Sequence, residues 1–159
     1  MHTTTTMAAM PTEDAAEMAP DIFPLAVPIM PDLASLAADD LARQKVERWA
    51  AVPRRVAGAG ETVRGVRMPD ASMEPLVPKG ALLAVVLRQI DPEASDGAVV
   101  FAQWDKGHMI RRLELANTET GRVAALRAEN REFGGDLVLR LSKARAAVIG
   151  VVVWMSVEF

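Results

Sequence analysis

From residue 62 onward the chain divides into short runs, TVRGVRM, ALLAVVL, AVVFAQW, HMIRRLEL, GRVAALRA, DLVLRL and AAVIGVVVWM, separated by turn-forming pieces such as Pro-Lys-Gly, Ser-Asp-Gly, Asp-Lys-Gly and Phe-Gly-Gly. Runs this short, rich in Val, Ile and Leu and bounded by Gly and Pro, read as β-strands rather than helices. Seven of them at close spacing predict a mainly β fold, a partly open barrel or a sandwich. Several, ALLAVVL among them, are apolar without alternation, which implies that both faces of those strands are covered.

The stretch before them has a different texture. Residues 1 to 30 are rich in Thr, Ala, Met and Pro, with prolines at 11, 20, 24 and 28 and no sustained period; a flexible or extended arm is expected there. From Pro31 the pattern suits a helix reaching about Ala51. Proline sits in the first turn, Asp32, Asp39 and Asp40 lie early, and Arg43, Lys45 and Arg48 lie late, the charge order that a helix dipole favours. Leu33, Leu36, Ala37, Leu41 and Trp49 fall roughly on one stripe. The organisation expected is therefore an arm over 1–30, a helix and linker over 31–52, and a β domain over 53–159.

Composition narrows the function classes. The chain has 159 residues and a formal net charge of −3, so it offers no basic surface to neutralise phosphates, and direct DNA binding is not expected. It has no cysteine and two histidines. Disulfides, thiolate catalysis and cysteine-ligated zinc are thereby excluded, and neither a metal site nor a cofactor is expected. The longest apolar run, Ala146 to Met155, falls short of the roughly 18 to 20 residues of a membrane span. The N-terminus lacks the basic start and apolar core of a signal peptide. A cytoplasmic protein without membrane contact is the expectation.

One string stands out, Asp70-Ala71-Ser72-Met73-Glu74-Pro75, followed by Leu76-Val77-Pro78-Lys79-Gly80 and then a strand. A serine between two strands is ordinarily a turn former. About forty residues on come Met109-Ile110-Arg111-Arg112-Leu113, then Arg127-Ala128-Glu129-Asn130-Arg131-Glu132-Phe133, and finally Ala147-Val148-Ile149-Gly150-Val151-Val152. Taken in this order over about residues 62 to 156, the four strings resemble the LexA-like serine–lysine peptidases, the C-terminal domain of LexA, of phage CI-type repressors and of UmuD-like proteins. The resemblance implies Ser72 at the nucleophile position and Arg111 where the family carries its lysine, with Met73, Glu74, Pro75, Arg112 and Asn130 as candidate binding residues.

That family's mechanism needs a neutral amine to take the serine proton. A guanidinium stays protonated at ordinary pH, so Arg111 can hold an anion or a carbonyl but cannot act as general base. Substitutes are poor. Lys106 and His108 stand five and three residues from Arg111, and odd spacing puts them on the opposite face of a strand. Lys79 lies in an exposed Pro-Lys-Gly turn. Self-cleaving members are cut at an Ala-Gly or Cys-Gly bond some thirty-odd residues before the serine. Here Ala57-Gly58 and Ala59-Gly60 begin 15 and 13 positions before Ser72, and Leu36-Ala37-Ala38-Asp39, in the expected region, lacks glycine and reads as helix.

The resemblance thus implies a catalytically inactive, peptidase-shaped module that acts in bacterial or phage transcription or SOS-type regulation. It would form homodimers, with the apolar end Val148 to Met155 either shared between subunits or buried in the core, and bind a protein or peptide segment. An active self-cleaving serine peptidase, and an antagonist or co-regulator that binds a related repressor, are the alternatives. Trp49, Trp104 and Trp154 are expected in the core or an interface.

Overall fold

A computed structural model describes residues 23–158. Its strands are β1 (Leu25–Met30), β2 (Arg48–Val52), β3 (Thr62–Arg67), β4 (Leu82–Leu87), β5 (Val99–Trp104), β6 (Gly107–Thr118), β7 (Gly121–Arg127), β8 (Leu137–Arg140) and β9 (Val148–Ser156). Two short α-helices accompany them, α1 (Leu33–Ala37) and α2 (Leu141–Ala147). All nine strands join one open sheet in the order β2-β1-β3-β4-β9-β5-β6-β7-β8. Each of the seven runs read from the sequence is a strand. The fold is the mainly β class expected, open at the two edge strands β2 and β8.

Local chemistry sets the connections. Asp105 and Lys106 both have positive φ, 48° and 64°, and close the two-residue hairpin that pairs Trp104 with Gly107; paired left-handed residues give the primed turn whose twist matches the strands. In β9, a side chain at Gly150 would meet Val85 Cγ1 at 2.8 Å and the Val86 carbonyl oxygen at 3.0 Å. Only glycine lets β9 approach β4 this closely, beside the irregularity in their register at Ala84/Val85.

The strand β4 is buried on both faces, as its unbroken apolar run predicts. Leu83 and Val85 join a cluster with Met30, Leu36, Met73, Phe101 and Ile110, whereas Leu82 and Ala84 pack with Val27, Ile29 and Val52. A further cluster under β5 to β9 holds Val100, Leu113, Leu126 and the inner face of α2. That helix is not predicted by the sequence pattern. Its Ala144 and Ala147 are buried three residues apart, a single-turn period lost between two strand-like runs.

Two expectations for the N-terminal part are corrected. The sequence predicts a flexible or extended arm over 1–30, but residues 25–30 form β1, an interior strand with Val27 to Met30 buried. Its apolar character outweighs its proline, because Pro28 lies just before the point where β1 begins to pair with β3 at Ile29. The part of the arm before residue 23 lies outside the described residues.

The helix expected from Pro31 to Ala51 is present only as the five residues of α1, capped by Asp32, whose carboxylate accepts from the Ser35 amide at 2.7 Å. Residues 48–52 are instead the edge strand β2, which pairs with β1. They alternate: Val52 is buried and Ala50 packs against its cluster, whereas Trp49 points outward at 61% exposure. Pairing the free edge of β1 is worth more than extending a helix whose stripe is incomplete. Trp104 also lies outward at the β5 end, and Trp154 is half-buried against the β1–β3 side of the sheet. Among the described residues, no helix is long and apolar enough to cross a membrane.

Candidate functional site

The loop that carries Ser72 is closed at its base by the β3–β4 ladder. The Met68 amide donates to the Ala81 carbonyl at 2.8 Å, and the Gly80 amide to the Met68 carbonyl at 2.9 Å. Inside the loop Met73 and Val77 are buried in the central cluster, and the Val77 amide donates to the Met73 carbonyl at 2.8 Å. Burying Met73 alone is worth about 1.5–3 kcal/mol. The Asp70 carboxylate accepts from the Ser72 amide at 3.0 Å, and Glu74 accepts from the Lys79 amide at 3.1 Å. Pro75 and Leu76 form the exposed tip.

From the far side Asn130 clips the same loop. Its amide nitrogen donates to the Ser72 carbonyl at 2.9 Å, its side-chain nitrogen to the Ala71 carbonyl at 3.2 Å, and its side-chain oxygen accepts from the Glu132 amide at 3.1 Å. Main chain and side chain of residue 130 are thus both committed to holding the Ser72 backbone and the turn that follows. The short string Glu129-Asn130 therefore positions the serine loop, and Glu129 is paired with Arg112 on β6.

Ser72 itself is fully buried, at 0% exposure. Its hydroxyl oxygen accepts from Arg111 Nη1 at 3.0 Å, and the same nitrogen donates to the Ile110 carbonyl at 2.8 Å. Burial pulls the Arg111 guanidinium below the ordinary arginine range, and the Asp70 carboxylate opposes that pull. The group nonetheless starts so far above neutral that it stays a cation at physiological pH. A strand residue on β6 and a loop residue 39 positions earlier are thus brought into direct contact.

Over residues 28–153 the chain matches the family model described as Peptidase S24-like. The chain belongs to the Peptidase S24-like family. The match begins at β1, so the family fold takes in β1, α1 and β2 as well as the region from residue 62 that the sequence motifs marked. None of the curated proteins compared with the chain matches it.

Within this S24-like fold, the residues considered as substitute bases lie elsewhere. His108 stacks on Phe101, ring centroids 5.7 Å apart and planes 21° apart, and pairs with Gln103 in the ladder, whereas Arg111 pairs with Val100 on the other parity. Lys106 is at the exposed hairpin tip and Lys79 is exposed beside Gly80. Ala57 to Gly60 occupy the turn that leads into β3, where the Gly58 amide donates to Glu61. Leu36 to Ala38 end α1, which packs against β3 and β6.

One buried charge is not singled out by the sequence motifs. Arg64 on β3 is 6% exposed and donates from Nη1 to the carbonyls of Leu36, at 3.2 Å, and Ala38. A signal was present: in TVRGVRM, Arg64 shares a strand face with Val66, so a charged residue stood at an inward position.

Proposed function

We propose that this S24-like chain is a catalytically inactive regulatory module that works by dimerisation and by binding an extended protein segment. The observation that carries the reading is the Arg111–Ser72 hydrogen bond. A serine nucleophile needs a neighbour that removes its proton. Here the neighbour is a donor that fills a lone pair of the hydroxyl oxygen and has no site for a proton. Base assistance ordinarily contributes about 10² to 10⁴ in rate, and nucleophile and base act as a unit.

The alignment of Arg111 with the family lysine is part of this proposal, as is the role of the module in bacterial or phage transcription or SOS-type regulation. The segment about 35 residues upstream of Ser72 supports the proposal. Leu36 to Ala38 end a helical turn whose carbonyls are held by Arg64, and a helical turn cannot lie in a groove as an extended substrate strand.

Binding in place of cleavage gives Arg111 a role, since its guanidinium can anchor a carbonyl or carboxylate of a segment laid beside the serine loop. Two measurements test the binding half. A labelled extended peptide from a repressor of the same family should raise anisotropy with the wild-type chain and lose most of that signal with Arg111→Ala. Light scattering at micromolar concentration should give twice the 17.1 kDa chain mass; a monomer mass contradicts the dimer.

A further inference from the structure

Apart from the serine site, one buried cation stands without a counter-charge among the described residues, Arg64 on β3. The Arg64 guanidinium is met by two main-chain carbonyls, both at Nη1, and its Nε has no hydrogen-bond partner among the described residues. None of the ion pairs found among them includes Arg64. A buried, unpaired charge is costly unless something neutralises it. Arg64 also lines a cavity of about 360 Å³ together with Ala37, Thr62, Leu87, Gln103 and Ile149, a volume within the range of small-molecule sites.

We propose that this cavity binds a small aliphatic carboxylate. The carboxylate takes the guanidinium's unused donors, which suit a planar anion. Leu87, Ile149 and Ala37 provide apolar wall for a short alkyl chain, and Thr62 and Gln103 supply polar groups. None of these residues belongs to the serine loop, so the site is separate from that of Ser72. Asp39 lines the same cavity and is exposed. Among the lining residues it is the one acidic group, and its like charge sets a limit on affinity that a substitution can lift.

The test is an amide-shift titration of the ¹⁵N-labelled full chain with sodium isobutyrate, with isobutyramide as the neutral isostere, at ionic strength fixed by sodium chloride. Saturable shifts at Thr62, Ala38 and Ile149 with isobutyrate, and binding weaker by about tenfold or more with isobutyramide, are expected for a charge-assisted contact. Asp39→Asn should tighten isobutyrate binding. Arg64→Met should abolish it. Because Arg64 also holds the end of α1, Thr62→Trp serves as a second variant: it fills the cavity from an exposed strand position and should abolish binding while leaving the dispersed spectrum of the folded chain. The proposal is overturned if isobutyrate gives no saturable shift, if isobutyramide binds as well, or if Thr62→Trp binds as the wild type does.

Discussion

Arg111 reaches from β6 to the serine loop and gives one N–H nitrogen, Nη1, to both the Ser72 hydroxyl at 3.0 Å and the Ile110 carbonyl at 2.8 Å. The second bond fixes the guanidinium on its own strand, so the cation stays beside the hydroxyl. Two features of the sequence converge in this contact, the string around Ser72 and the string around Arg111.

If charge alone silences the serine, a lysine in the same place should wake it. Burial already lowers the pKa of Arg111, and the same desolvation lowers that of a lysine into a range where the neutral amine forms. Arg111→Lys should therefore make Ser72 react with an organofluorophosphate at a rate that climbs as pH rises from about 7 to 10, about 10²-fold or more above wild type at the upper end. Labelling measured by mass spectrometry should be absent in Ser72→Ala/Arg111→Lys. Equal, pH-independent labelling of wild type and Arg111→Lys would sink the argument.

Asn130 holds the serine loop through two contacts, one from its main chain and one from its side chain. Asn130→Ala keeps the first, loses the second and strands the Ala71 carbonyl, a change worth about 1–2 kcal/mol. Urea unfolding should show that loss, and hydrogen exchange should quicken at residues 70–74 before it quickens in β4. Unchanged exchange in the loop would show that the clip is idle.

At Gly150 there is no room for a side chain between β9 and β4. Gly150→Val must push Val85 and the Val86 backbone aside, and such overpacking typically costs about 1–3 kcal/mol. A drop in thermal midpoint is expected. A variant as stable as wild type would mean that the strands can separate without penalty.

The end of the chain is tied to β2 and β3 by charge. Glu158 accepts from Arg48, which holds its carboxyl below the ordinary value of 4.5, and Arg67 lies 3.7 Å away. A lowered folded value means that the contribution to stability is present above the ordinary pKa and fades as pH falls through the folded one. A ¹³C titration of the Glu158 carboxyl should give a midpoint under 4.5, returning toward it in Arg48→Ala and at high salt. A midpoint that ignores both changes would exclude the pair. Both partners are exposed, so the effect is local.

How much was legible depended on whether a signal was local. The seven strands from residue 62 could be read because runs such as ALLAVVL carry their burial in their own composition and the glycine turns between them fix where they end. β2 could not, because nothing in Arg48 to Val52 alone distinguishes a strand from the last turns of a weak helix; the deciding fact is the open edge of β1, a non-local partner. β1 is hidden for a related reason, since the prolines at 24 and 28 suggest an arm while its sheet neighbours lie up to 36 residues later. At the site, Ser72 and Arg111 are found by motif. Their contact, the complete burial of Ser72 and the clip by Asn130 are three-dimensional facts that no spacing contains. Arg64 is readable from strand parity, yet in sequence it looks like an ordinary surface charge.

The central claim, that the serine site no longer catalyses, is tested most directly by intact-mass spectrometry of the full chain during prolonged incubation at alkaline pH, where lysine-dependent self-cleavage is fastest. The wild-type chain should remain at its full mass and be indistinguishable from Ser72→Ala throughout. Fragments that accumulate in wild type and are missing in Ser72→Ala would contradict the account.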